Sequence, residues 1–211
     1  MSALDPFDRA TVWLNSEPLT AAELAGRVVL VDFWTYSCVN WLRTLPYVSA
    51  WADRYADDGL VVIGVHAPEF SFEHDLGNVR RAVGELDVRY PVVTDNDFAI
   101  WRAFANHYWP AVYLVDRDGR VRYQHFGEEA YEETEEAIQA WLGSADGVVD
   151  VAADGFSRAA DWDRLRSPET YVGENRGERR TAGGGELALN DWALKGDWTL
   201  DGESATLDSA P

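Results

Sequence analysis

Cysteine is nearly absent: Cys38 is the one thiol in 211 residues. A single thiol excludes an intrachain disulfide framework, a multi-cysteine zinc or iron–sulfur site, and dithiol chemistry within one chain. Lysine is as scarce, with Lys195 alone among 18 basic residues against 37 acidic ones, for a net charge of −19. That imbalance argues against nucleic acid and anionic membranes as partners, because nothing in the chain would neutralise phosphates. No apolar run approaches the roughly 18 residues of a membrane span, and residues 1–9 lack the apolar core of a secretory leader. A soluble, cytoplasmic protein is therefore expected. His66, His74, His107 and His125 lie on separate segments without ligand spacing such as H-x-x-x-H. No Gly-rich phosphate loop follows a strand, and no cofactor is expected.

Over residues 1–142, segments with strand and helix patterning alternate. Thr20-Ala21-Ala22-Glu23 reads as a capping box ahead of a short helix ending at Gly26. Val28 to Trp34 is an apolar run broken only by Asp32, the pattern of a strand buried on both faces. Helical spacing follows through Leu42, Leu45, Val48 and Trp51, with Pro46 inside it as an expected kink. Leu60–Val65 is a second buried strand, Phe72–Leu86 a helix capped by Ser71, Pro91–Thr94 a short strand and Asp97–Phe104 a helix. Ala111–Val115 and Arg120–Phe126 form a hairpin around Asp116-Arg117-Asp118-Gly119. A last helix spans Tyr131–Leu142, with Tyr131, Thr134, Ile138 and Trp141 on one face and the acidic run Glu128–Glu136 solvated. The order implies an α/β three-layer sandwich with a mixed central sheet. Residues 143–185 read as a polar linker, and 186–211 as a partial β-unit with strands at Glu186–Asn190, Asp197–Leu200 and Ser204–Asp208.

Cys38 lies where a buried strand gives way to a helix. Unpaired amides and the helix dipole there favour a thiolate and lower a cysteine pKa from about 8.5 towards roughly 3.5–7.5. The same residue also reads as a small buried hydrophobe, the common fate of a lone cysteine. Asp32, inside its apolar strand, is costly unless paired, protonated or functional. Trp109-Pro110 opens the hairpin, a place where a sheet tolerates proline.

These segments resemble the thioredoxin superfamily. Val29–Trp34, with Cys38 six residues past Asp32 and Pro46 eight past Cys38, is similar to its strand, active-site turn and kinked helix, and Trp109-Pro110-Ala111 to its cis-proline segment. More narrowly, Trp34–Cys38, Arg43–Tyr47 and Val65–Phe70 resemble the redoxin group around the TlpA-like proteins and the carboxy-terminal part of DipZ. Ser167–Tyr171 and the 189–200 region resemble the start of that group's carbohydrate-binding-like β-sandwich, of which Trp192 and Trp198 would be buried pins. The resemblance implies a C-x-x-C motif whose second cysteine resolves the mixed disulfide formed by the first, with Asp32 as its proton acceptor. Here the motif reads Cys38-Val39-Asn40-Trp41, and tryptophan resolves nothing.

Two functions follow. In one, Cys38 is the nucleophile of a monothiol oxidoreductase acting on disulfides or, in an antioxidant variant, on peroxides, with Asp32 tuning it and Thr35 orienting a peroxide. An external thiol then completes the cycle: a small thiol, a redox protein, or Cys38 of a second chain in a disulfide-linked homodimer. In the other, Trp34, Tyr36, Trp41, Trp109 and Pro110 form an aromatic surface that binds peptides or small apolar ligands without catalysis.

Overall fold

In the computed structural model, residues 2–10, 12–144, 147–149, 151, 163–164, 166–181 and 185–209 are described. The chain divides into two units, residues 1–158 and 159–211.

The first unit is built on a six-stranded mixed sheet. Its strands are β1 (Trp13–Leu14), β2 (Val28–Trp34), β3 (Leu60–His66), β4 (Val92–Thr94), β5 (Ala111–Val115) and β6 (Val121–Phe126), in the order β1-β4-β3-β2-β5-β6. β2, β3 and β4 run parallel, whereas β1, β5 and β6 are antiparallel to their neighbours. The helices are α1 (Ala21–Leu24), α2 (Val39–Tyr55), α3 (Leu76–Glu85), α4 (Ala99–Ala103) and α5 (Tyr131–Leu142), with 3-10 turns at Asp5–Arg9 and Ser71–His74.

Every residue of β2 is buried, because alternate side chains feed two separate cores. Val28, Leu30 and Trp34 pack with Trp41, Val48, Trp51, Val79 and Ile138 from α2, α3 and α5. Val29, Val31 and Phe33 pack on the other side with Phe7, Leu24, Ile100, Trp101 and Phe104. By alternation Asp32 faces α2, and this places the carboxylate in the functional half of the domain.

Several expectations from the sequence hold. Thr20 and Glu23 close the capping box, each accepting from the other's backbone amide, and Pro46 lies inside α2. The single helix expected over Phe72–Leu86 is instead two pieces. Asp75 is extended and accepts from the Asn78 amide at 2.9 Å, which starts α3 afresh and leaves Ser71–His74 as a separate turn.

The acidic run ahead of and into α5 is not wholly solvated. Glu135 is 3% exposed and accepts from Tyr55 Oη (2.6 Å), Trp51 Nε1 (3.2 Å) and the Val149 amide (2.9 Å). Gln139 donates to Tyr55 Oη at 2.8 Å. The buried face of α5 therefore passes through Glu135 and Gln139 as well as Thr134 and Ile138, while Trp141 turns outward under the Arg122 guanidinium. Val149 packs on the same core, beyond the boundary expected at 142.

The second unit contains a hairpin, β7 (Asp197–Leu200) with β8 (Ala205–Ser209), and an isolated bridge between Arg180 and Trp192. The strand expected at Glu186–Asn190 does not form. Trp192 and Trp198 are half-buried rather than buried pins, their indole N–H groups donating to the Glu178 and Lys195 carbonyls. Much of 143–185 lies outside the described residues.

Replacing Glu135 with alanine strands the Tyr55 hydroxyl, the Trp51 N–H and the Val149 amide. Hydrogen bonds to a charged group contribute about 1.5–3 kcal/mol each, so Glu135→Ala is expected to lower unfolding stability by roughly 3 kcal/mol, with an unchanged denaturant slope. Urea denaturation reads this directly, and a loss under about 0.5 kcal/mol would show that the network is not buried as described.

Candidate active site

β2 ends at Trp34 and β3 at His66, which are register partners, and Ala111 at the start of β5 lies opposite Phe33. The turn 35–38, the segment after His66 and the hairpin's opening residues thus share one end of the sheet. Cys38, half-buried, is the N-cap of the 17-residue α2. Its amide donates to the Thr35 carbonyl at 3.2 Å, and its own carbonyl accepts the first helical bond, from Leu42, at 3.0 Å. The helix's amino end places positive potential at this residue, which favours a thiolate over a thiol.

Trp41, one turn into α2, is wholly buried. Its indole stacks on Trp34 with ring centroids 4.1 Å apart, and its Nε1–H donates to Asp32 Oδ2 at 3.0 Å. Tyr90 Oη donates to the same oxygen at 3.2 Å. Among the described residues, Asp32 Oδ1 and Trp34 Nε1 have no hydrogen-bond partner. Burial pushes the Asp32 carboxyl up to about 7, while the bonds from Trp41 and Tyr90 favour the carboxylate. Gly64, across from Asp32, leaves room for this arrangement: a Cβ there would sit 2.9 Å from Trp34 Nε1 and 3.0 Å from the Tyr90 ring.

Thr35 is also fully buried, and its Oγ1 lies 3.4 Å from His66 Nε2. Burial pushes His66 down to about 4, with the Glu73 carboxylate pulling the other way. Tyr36 is half-buried, stacks parallel to the His66 ring at 5.6 Å and donates from Oη to the Phe72 carbonyl at 3.2 Å. The Trp109–Pro110 peptide is cis. Trp109 Nε1–H donates to the Ala67 carbonyl at 3.0 Å, and its ring lies against Trp101.

The expected aromatic surface is therefore corrected. Trp34 and Trp41 are both 0% exposed and lie in the core beneath the turn, since each finds apolar packing there and Trp41 finds an acceptor. Of the five residues assigned to that surface, Tyr36 and Trp109 are part-exposed and Pro110 is buried. Sequence reasoning also missed two residues. Tyr90 sits in an apolar stretch with nothing to mark its hydroxyl as a partner of Asp32. Glu73 falls inside the helix expected over Phe72–Leu86, with nothing to mark it as a site residue, yet it is 0% exposed and accepts from Ser37 Oγ at 2.5 Å. Among the described residues no group of histidine, cysteine and carboxylate side chains could hold a metal ion.

The Redoxin family matches residues 5–141. The chain belongs to the Redoxin family. This redoxin is similar to Protein DipZ of Mycobacterium bovis, 39% identical over 215 residues that cover 94% of the chain and 31% of DipZ. It is also similar to the thiol-disulfide oxidoreductase YkuV of Bacillus subtilis, 32% identical over 135 residues covering 64% of the chain and 90% of YkuV. The solution structure of a thioredoxin-like protein in its oxidised form superposes with a TM-score of 0.58 at 31% identity, covering 68% of this chain and 98% of that one. The redoxin thus has the thioredoxin-like fold of thiol-disulfide oxidoreductases. It spans about a third of the length of the DipZ proteins.

The relatives overturn the cytoplasmic placement, because DipZ is of the membrane-anchored, extracytoplasmic kind. Among the described residues no helix is long and apolar enough to cross a membrane. An acidic, well-solvated surface is compatible with either side of a membrane, so composition does not fix the compartment.

Asp32 and His66 generate opposed pH dependences. A carboxyl raised from 3.8 to about 7 by folding makes stability fall as pH rises from about 4 to about 7. A histidine lowered from 6.5 to about 4 makes stability fall as pH drops from about 6.5 to about 4. One pH unit is worth about 1.4 kcal/mol, so each effect amounts to on the order of 3–5 kcal/mol, and the two oppose each other between about pH 4 and 6.5. Relative to wild type, Asp32→Asn is expected to gain stability as pH rises through this window, and His66→Gln to gain it as pH falls. Parallel wild-type and variant curves in urea titrations from pH 4 to 7 would refute the assignment.

Proposed function

We propose that this redoxin is a one-cysteine thiol–disulfide oxidoreductase in which Cys38 attacks and an external thiol resolves. The observation that carries the reading is Trp41. It occupies the position of the family's second cysteine, is buried, and donates its N–H to Asp32 Oδ2, so the chain, with Cys38 as its one cysteine, offers no resolving thiol of its own. The Cys38 thiolate attacks one sulfur of a disulfide R–S–S–R′, forming Cys38–S–S–R and expelling R′–S⁻. A second thiolate, R″–S⁻, then attacks the R sulfur of that mixed disulfide, releasing R–S–S–R″ and restoring the Cys38 thiolate. Both steps are exchanges, so no net electrons enter or leave. R″–SH is a small thiol or a redox protein; Cys38 of another copy would instead attack the Cys38 sulfur, forming a Cys38–Cys38 disulfide between chains and releasing R–S⁻.

The site's chemistry favours disulfides over peroxides. A peroxide needs a hydroxyl to orient it at the sulfur, and the candidate, Thr35 Oγ1, is buried against His66. The name of YkuV, a thiol-disulfide oxidoreductase over nearly its whole length of similarity, supports catalysis rather than a binding module. Burial of two of the four tryptophan and tyrosine residues assigned to the binding surface weighs the same way.

The mechanism makes turnover first order in external thiol. With hydroxyethyl disulfide as substrate, the steady-state rate is expected to rise in proportion to added thiol until the first step limits, and Cys38→Ser to reduce it to the uncatalysed background. A rate independent of added thiol, or persisting in Cys38→Ser, would contradict the mechanism.

A further inference from the structure

The three residues leading into Cys38 are each tied by a side chain to the last residue of β3 or to the segment that follows it. Thr35 Oγ1 meets His66 Nε2, Tyr36 stacks on His66 and donates to the Phe72 carbonyl, and Ser37 Oγ donates to Glu73 Oε1 at 2.5 Å. Glu73 is the centre of that second segment. Its other oxygen, Oε2, accepts from the amides of Glu69 (2.6 Å) and Phe70 (2.9 Å). A carboxylate that is 0% exposed is costly to bury unless its lone pairs are occupied, and here three donors occupy them. Two of these fold the 69–73 turn onto itself, and the third is the residue immediately before the nucleophile.

Ser37, by contrast, is exposed. Without Glu73, Ser37's own packing would do little to hold its place in the turn, because an exposed serine gains little from burial. The consequence falls on Cys38, whose place at the N-cap of α2 depends on the backbone path through residues 35–37. A nucleophile at a helix amino end benefits from the dipole only within about the first turn, so a small change in that path matters to its thiolate.

We infer that Glu73 is a positioning residue for Cys38, acting through Ser37 to seat the thiol at the amino end of α2. This deepens the oxidoreductase reading and rests on it for its biological purpose. A negative charge close to a thiolate disfavours it directly, so Glu73 exerts two influences of opposite sign. Charge alone would make removal of Glu73 favour the thiolate. Positioning makes removal disfavour it, and makes removal of the Ser37 hydroxyl do the same.

The test is the pH dependence of Cys38 alkylation by iodoacetamide in the full chain, for wild type, Ser37→Ala, Ser37→Thr, Glu73→Gln and the Ser37→Ala/Glu73→Gln double variant. Alkylation requires no disulfide exchange, so it reports positioning even if the turnover assay refutes the one-cysteine mechanism. The expected result is that the pH of half-maximal rate rises in Ser37→Ala, with the rate at pH 6 falling about five- to tenfold, and rises by less in Glu73→Gln, where loss of the charge acts the other way, with the double variant matching Glu73→Gln. Ser37→Thr, which keeps the hydroxyl, is expected to match wild type. Should Glu73→Gln prove too unstable to fold, Ser37→Ala against Ser37→Thr carries the same contrast on an exposed residue. A fall of the midpoint in Glu73→Gln, additive shifts in the double variant, or no shift in Ser37→Ala would each overturn the inference.

Discussion

The hydrogen bond from the Trp41 indole to the buried Asp32 carboxylate is the constraint on which the site depends. A carboxylate in the middle of a fully buried strand demands a donor, and an indole N–H is a donor that brings its own apolar surface. Trp41 meets both needs: its ring completes a stack with Trp34 and its nitrogen meets Asp32, with Tyr90 as second donor. That solution fixes the first turn of α2 against β2, and with it the place of Cys38 at the helix's amino end. Trp41 also stands where the C-x-x-C motif would carry its second cysteine. Structural stability and the loss of internal resolution therefore share one cause.

Around that fixed point the sheet's end gathers the remaining parts. The parallel pairing of β2 with β3 brings His66 level with Trp34, and the antiparallel pairing with β5 brings the cis Trp109–Pro110 segment to the same edge. Thr35 and His66 face inward, whereas Tyr36, Ser37 and Cys38, and Trp109 beside them, meet solvent in whole or in part. The candidate site is thus a short turn backed by buried core, an arrangement that would present the Cys38 thiol without exposing its supports.

Much of this was legible in the sequence because it rests on local patterns. The unbroken apolar run of β2, the Thr20–Glu23 capping box, the hairpin turn at 116–119 and the helix carrying Pro46 all depend on residues near one another in the chain. Cys38 could be placed at a strand–helix junction for the same reason. The sites of failure are long-range and polar. Glu73 and Glu135 look like surface acids on helices, and donors as far as 36 and 80 residues away, Ser37 and Tyr55, help to make their burial favourable. Trp34 and Trp41 carry no local sign of whether an aromatic faces the core or solvent. Their burial follows from the face to which Asp32 is assigned, which requires knowing that α2 packs there. The short β1 and the 3-10 turn at Asp5–Arg9 have patterns too brief to stand out.

The most direct test of the central claim, that Trp41 leaves the chain unable to resolve its own mixed disulfide, is intact-mass spectrometry after one equivalent of hydroxyethyl disulfide with no other thiol present. The account predicts a single adduct of one half-disulfide per chain at Cys38, persisting after removal of the released thiol until an external thiol is added. Spontaneous loss of the adduct in the absence of any thiol, or no adduct at Cys38 at all, would contradict it.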